Sequence, residues 1–140
     1  MKKVAMILAF LLILSACGAS DAEQASDASA ADVDLTSLSS TMVYAEVYNM
    51  LCAPEEYMGK TVRMAGAFAI YEGDERNYYA CIIADATACC SQGIEFVLEG
   101  DYSYPEDYPE LGTTITVTGV FDTYYEGQYQ YVQLIHAEME

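Results

Sequence analysis

A two-residue alternation of apolar and polar side chains governs the second half of this chain and constrains its fold more than any other feature. From Thr61 to Tyr71, Val62, Met64, Phe68 and Ile70 recur on alternate positions, the spacing that places them on one face of a β-strand. Four further runs read the same way: Tyr78 to Ala84, Ile94 to Glu99, Thr114 to Tyr125 and Gln128 to Ala137. Glu72-Gly73-Asp74-Glu75 joins the first two and Glu126-Gly127 the last two, short glycine-bearing turns of the hairpin kind. Residues 100–112 hold two prolines and three tyrosines and read as a long loop.

Ahead of the strands, Val43, Val47, Met50 and Leu51 fall at i, i+4, i+7 and i+8, one face of a helix that Ser40 or Thr41 can cap. Pro54 ends that helix within a few residues. The fold class is therefore all-β with one N-terminal helix. Gly66 and Gly119 interrupt the first and fourth strands and mark bulges. Five strands with two such bends predict a small closed barrel of the OB type over residues 41–140, its long first strand turning a corner at Gly66.

The N-terminus carries a different signal. Lys2 and Lys3 precede an unbroken apolar run from Val4 to Leu14, long enough for the core of an export signal and too short for a spanning helix, which needs about 20 residues. Leu14-Ser15-Ala16-Cys17 follows at once and resembles the lipobox of bacterial lipoproteins. The resemblance implies that residues 1–16 are removed as a signal peptide. It also implies that Cys17 becomes the new N-terminus with diacylglycerol on its sulfur. Acyl chains such as palmitate contribute roughly 0.8 kcal/mol per buried CH₂, so two or three hold a protein firmly to a bilayer. Residues 17–40 are dominated by Ala, Ser and Asp, cannot bury enough apolar surface to offset their ordering entropy, and read as a flexible acidic tether. The expected location is the extracytoplasmic face of the cell membrane. In a two-membrane cell, Gly18 in place of an Asp after Cys17 directs the protein to the outer membrane.

Removal of the signal leaves Lys60, Arg63 and Arg76 against 22 acidic residues, a net charge of −19. Such a surface repels phosphate backbones and anionic lipid headgroups, which excludes nucleic acid as a partner and favours cations or basic ligands.

From about Tyr48 onward the chain resembles a family of bacterial envelope proteins described as permease accessory subunits. The elements that carry the resemblance are the Pro-Glu-Glu-Tyr-x-Gly-Lys turn at Pro54 to Lys60 and Gly66 in the strand after it. A Cys-containing segment ending in Ala-Asp-Ala follows at Cys81 to Ala86, and a Val-x-Gly-x-Phe piece at Val117 to Phe121. The resemblance implies an OB-like domain and an envelope or transporter partner, and it carries no assigned reaction. In that family two adjacent cysteines precede Ala-Asp-Ala, whereas here Cys81 precedes it alone and Cys89-Cys90 comes after.

Besides Cys17, the cysteines are Cys52, Cys81, Cys89 and Cys90. An even number in an exported domain predicts disulfides, and four cysteines allow three connectivities. A bridge from Cys81 to Cys89 or Cys90 is easier than one between the adjacent pair. The alternatives are buried free thiols and a metal-binding or thiol-redox site formed by Cys81, Cys89 and Cys90 with Asp85 between them, since soft thiolates select Cu(I) or Zn²⁺; no other cofactor is implied. His136 is the single histidine, so a Cys–His pair has no other source. Asp101, Glu106, Asp107 and Glu110 offer a weak Ca²⁺ site in the long loop without an EF-hand pattern. Thirteen tyrosines and no tryptophan place aromatic rings on the strands: Tyr71, Tyr78, Tyr79, Tyr124, Tyr125, Tyr129 and Tyr131. Nucleotide loops, zinc-protease motifs and nucleophile elbows do not occur. The sequence thus predicts a lipid-anchored, non-enzymatic binding module of the envelope, docking a protein or a glycan through its tyrosine-rich face. Mass spectrometry of the mature protein is expected to show an acylated N-terminal Cys17, and Cys17→Ser to leave an unprocessed, unacylated precursor.

Overall fold

The computed structural model describes residues 31–140. The expected export signal, Cys17 and most of the expected tether lie outside the described residues.

The described residues form six strands in one sheet and one α-helix. The element order is β1 (Val33–Asp34), α1 (Ser40–Cys52), a 3₁₀ turn (Pro54–Glu56), β2 (Thr61–Glu72), β3 (Asn77–Ala84), β4 (Ser91–Leu98), β5 (Thr114–Glu126) and β6 (Tyr129–Met139). The strand order in the sheet is β1-β2-β3-β4-β6-β5, and β2 also pairs with β5. All neighbours are antiparallel except β1–β2 and β4–β6.

Each of the five expected strands is present, with ends shifted by a few residues. The sixth, β1, was not foreseen. Val33 and Asp34 pair with Val62 and Arg63, the Leu35 amide donates to the Arg63 carbonyl at 2.8 Å, and the Leu35 side chain is buried in the core. The segment from Val33 to Leu35, whose polar composition predicts tether, therefore belongs to the folded body. Its few apolar residues are too sparse to register as a pattern, but one of them is fully used.

β2 is long because it serves two partners in turn. Thr61 to Ala67 pair with β5, and Ala67 to Glu72 pair with β3. Gly66 sits at the changeover. A Cβ there would lie 2.4 Å from the Ile82 carbonyl oxygen and 2.9 Å from the Cys81 sulfur, so only glycine lets β3 approach this closely. Gly66 is thus a site of strand crossing, with no register shift in either of its ladders, whereas Gly119 does sit at a bulge. The β5–β6 register shifts between Thr118 and Val120, and His136 opposite takes a left-handed φ of 49°, as bulged residues do.

The inward positions of the alternation fill the core: Val62, Met64 and Phe68 from β2, Cys81 from β3, Ile94 and Phe96 from β4, Val117 and Phe121 from β5, and Leu134 from β6. Each fully buried phenylalanine contributes about 2–3 kcal/mol relative to exposure. Helix α1 lays Val47 and Met50 against this core, while Leu51 on the flank of the same stripe stays 38 % exposed. The residue before the helix is Ser39, one position ahead of the expected caps, and it makes no side-chain capping bond. Tertiary bonds hold the helix instead. The Tyr57 hydroxyl donates to the Glu46 carboxylate at 2.7 Å, and the Gln92 side-chain amide donates to the Tyr44 carbonyl. Among the described residues no helix is long and apolar enough to cross a membrane.

Two substitutions test this packing in urea denaturation. Leu35→Ala is expected to cost about 3 kcal/mol, as truncation of a buried leucine does. Gly66→Ala is expected to cost about 2 kcal/mol through overpacking against β3. Unchanged midpoints would mean that the Leu35 segment and the β2 crossing are not part of the cooperative unit.

Candidate functional site

The outward positions of β3 and β4 are unusual for an exposed sheet face. Tyr78, Ala80 and Ile82 on β3 point away from the core side occupied by Cys81 and Ile83, and Gly93 and Glu95 face them from β4 in register. Ala80 and Gly93 are small, so they leave a floor. Tyr71 from β2, Tyr124 and Glu126 from β5, Tyr131 and Val132 from β6, and the exposed Leu51 of α1 supply the walls. Together these residues line an open groove of about 510 Å³. A Cβ on Gly93 would meet the Ile82 side chain at 2.5 Å and the Cys81 carbonyl at 2.7 Å, so the floor cannot be raised without moving β3.

A polar network ties the groove walls together. Arg76 pairs with Glu95 at 2.8 Å and reaches Glu126 at 3.7 Å. Its guanidinium lies over the Tyr78 ring, 4.2 Å from the centroid, and 5.3 Å from that of Tyr124. The Tyr124 hydroxyl donates to Glu95, and the Tyr78 hydroxyl donates to Glu126 at 2.7 Å. Tyr124 and Tyr131 stack at 5.5 Å. Burial first, and then its bond to Glu95, push the Tyr124 hydroxyl well above the ordinary tyrosine range, because both disfavour the phenolate. The sequence displays these tyrosines but not their organisation: Arg76, Glu95 and Glu126 belong to three different elements. The outward Glu95 between buried Ile94 and Phe96 is the signal that marks this face.

Of the long-loop tyrosines, Tyr108 serves the core, while Tyr102 and Tyr104 stay exposed. Tyr108 stacks on Tyr79 at 4.2 Å and on Phe68 at 5.6 Å, and Tyr102 and Tyr104 meet its edge. Asp101, Glu106, Asp107 and Glu110 do not converge on a common point. Asp107 accepts the Ser103 amide at 2.8 Å, a local turn contact.

The cysteines separate into three environments, and all four described ones are free thiols. Cys52 is exposed at the end of α1. Cys81 is fully buried, and burial pushes its thiol up to about 12. Cys89 and Cys90 are exposed in the loop between β3 and β4. The expected grouping of Cys81 with Cys89, Cys90 and Asp85 is corrected: Cys81 points into the core by strand parity, and the group that forms is Asp85, Cys89 and Cys90. Bridges from Cys81 to either loop cysteine are absent for the same reason. The Cys89 and Cys90 sulfurs lie 3.6 Å apart, and Cys89 lies 3.4 Å from an Asp85 carboxylate oxygen. His136 stands on β6 beside Glu99 at 3.6 Å and joins no cysteine.

No protein-family model matches the chain, and no curated protein matches it in sequence.

The groove chemistry predicts a pH dependence. Tyr124 has a raised pKa in the folded protein and an ordinary value near 10 when unfolded. The folded state then holds a proton that the unfolded state releases, so stability is intact below pH about 10 and falls as pH rises above it. Urea midpoints measured across that range are expected to drop, and to drop less in Tyr124→Phe, which has no phenol to titrate there.

Proposed function

We propose that the mature protein is a lipid-anchored binding module on the extracytoplasmic face of the bacterial cell envelope. In this reading it holds a carbohydrate in the Tyr71–Tyr78–Tyr124–Tyr131 groove and carries out no reaction of its own. The observation that carries the reading is the groove itself: aromatic walls of four tyrosines around a small-residue floor, with the carboxylates of Glu95 and Glu126 and the side-chain amide of Gln130 in its lining. Sugar rings present C–H faces to aromatic rings and hydroxyls to fixed donors and acceptors, and this groove offers both. Binding pockets of this kind combine apolar walls with a few placed polar groups.

The finer architecture belongs to the same proposal. Pairing of β2 with both β3 and β5 closes a ring β2-β3-β4-β6-β5, which we read as a five-stranded OB-like barrel with β1 as an added edge strand. In such barrels the second and third strands, with the loops beside them, form a face that takes oligosaccharides or oligonucleotides. β3 and β4 hold those positions here. The net charge of −19 after loss of the signal argues for the saccharide, because single-strand binders line their aromatics with Lys and Arg. Arg76 is the single base beside the groove, and it is already paired with Glu95. The carboxylates are likewise engaged by tyrosine hydroxyls, an arrangement suited to holding a ligand rather than to proton transfer. The lipobox supports anchoring, and the acidic segment after Cys17 supports display away from the bilayer.

Binding of the mature acylated protein to an array of bacterial envelope glycans tests this reading. Tyr78→Ala and Tyr131→Ala are each expected to weaken retention about tenfold, the scale of losing one aromatic anchor. Tyr102→Ala, in the loop outside the groove, is expected to leave it unchanged. Absence of any retained glycan, or retention indifferent to Tyr78 and Tyr131, would refute the proposal.

A further inference from the structure

The loop from Asp85 to Cys90 lies at the far end of the β3–β4 hairpin from Arg76, and the groove does not use it. Its backbone is tied into one shape. The Asp85 amide donates to the Cys90 carbonyl at 2.9 Å and the Ala88 amide to the Asp85 carbonyl at 3.0 Å. One Asp85 oxygen accepts the amides of Thr87 at 3.1 Å and Cys89 at 3.0 Å and the Thr87 hydroxyl at 3.0 Å. Ala88 takes a left-handed φ of 55°, a conformation unusual for a residue with a Cβ, and this turn carries both sulfurs to the side where Asp85 stands.

We propose that Asp85, Cys89 and Cys90 form a binding site for a thiophilic divalent cation of the zinc class. The distances between the three ligand atoms support this. Two sulfurs on one tetrahedral ion at the usual zinc–sulfur length are about 3.8 Å apart, and a sulfur and a carboxylate oxygen about 3.5 Å apart. The loop presents 3.6 Å between the sulfurs and 3.4 Å between Cys89 Sγ and Asp85 Oδ2, and all three ligand atoms lie within 4.8 Å of one another. A linear two-thiolate ion, the alternative for a monovalent soft metal, would push the sulfurs farther apart than this tetrahedral edge. The second Asp85 oxygen, held by the Thr87 and Cys89 amides, fixes the ligating one, the kind of support that orients metal ligands. Three protein ligands leave a fourth position open. The site is exposed and detached from the core, so it is suited to taking up and releasing its ion rather than to holding the fold together. The highly acidic chain raises the local concentration of any cation around it.

Reduced, chelator-stripped full-length protein titrated with Co²⁺ as a visible probe for Zn²⁺ decides the matter. The expected result is one equivalent bound per chain, with thiolate-to-metal charge-transfer bands and the d–d bands of a tetrahedral ion, both erased by Zn²⁺. Cys89→Ser and Cys90→Ser are each expected to lose affinity about a hundredfold or more, beyond the effect of removing a supporting residue. Cys52→Ser is expected to bind as the parent does. Stripping the ion should lower the urea midpoint only by the amount its own affinity dictates and leave the chain folded. Absence of charge-transfer bands, equal binding by the Cys89 and Cys90 variants, unfolding on chelation, or a Cys89–Cys90 disulfide in protein isolated from the envelope without reductant would each overturn the proposal. None of these outcomes depends on whether the tyrosine groove binds a glycan.

Discussion

Everything else in this molecule rests on β2 pairing first with β5 and then with β3, and on the close approach at Gly66 that permits the change of partner. At that point the Ile82 carbonyl and the Cys81 sulfur occupy the space a side chain would need. The crossing gives the alternation of β2 two consequences at once. Val62, Met64 and Phe68 face the same core from two ladders, and β3 is drawn in far enough for Cys81 to be sealed among them. Parity then dictates the remainder of the hairpin. With Cys81 and Ile83 inward, Ala80 and Ile82 must face outward, and Gly93 and Glu95 come opposite them on β4. The groove floor is therefore the reverse side of the core packing.

The electrostatics of the groove are local, although the chain as a whole is strongly acidic. Glu95 keeps only 10 % of its side chain exposed, a position that is costly for a carboxylate without partners. Arg76 and the Tyr124 hydroxyl supply them, and Arg76 in turn is sandwiched against the Tyr78 ring. Each group satisfies another, so the walls of the proposed binding groove are fixed by the protein's own contacts. Such preorganisation favours binding because little side-chain freedom remains to be lost. The β3–β4 loop follows the same logic with different chemistry: hydrogen bonds donated by the Thr87 and Cys89 amides to Asp85 and the turn at Ala88 fix the two sulfurs.

Much of the architecture was legible in the residues. The strands announced themselves by alternation, the helix by Val43, Val47 and Met50, and the bulge at Gly119 by its position in an otherwise regular run, whereas Gly66, expected as a second bulge, marks a strand crossing without a register shift. Three things were not legible, each for a physical reason. The contribution of Leu35 depends on one side chain reaching a distant core, and a two-residue strand has no periodicity to read. The separation of Cys81 from Cys89 and Cys90 depends on which strand face each occupies, and loop cysteines carry no parity. The Arg76–Glu95–Tyr124–Glu126 network joins residues from different elements, so it exists only once the register of β3, β4 and β5 is set. The tyrosines were visible as a surplus, but which ones wall a groove and which, like Tyr108, cover the core emerged from packing alone.

The most direct test of this account is amide hydrogen exchange across the β2–β5 pairing. The Phe121 amide donates to the Lys60 carbonyl at 2.9 Å and the Phe68 amide to the Thr113 carbonyl at 2.8 Å. Alternation between these ends makes Met64–Val117 and Gly66–Ile115 hydrogen-bonded pairs. The account predicts that these four amides open only with global unfolding, at the same free energy as the slowest amides of the β5–β6 ladder. Exchange at Met64, Gly66, Ile115 and Val117 through an easy local opening, with β5–β6 still protected, would contradict it, because β2 would then be bound on one side only.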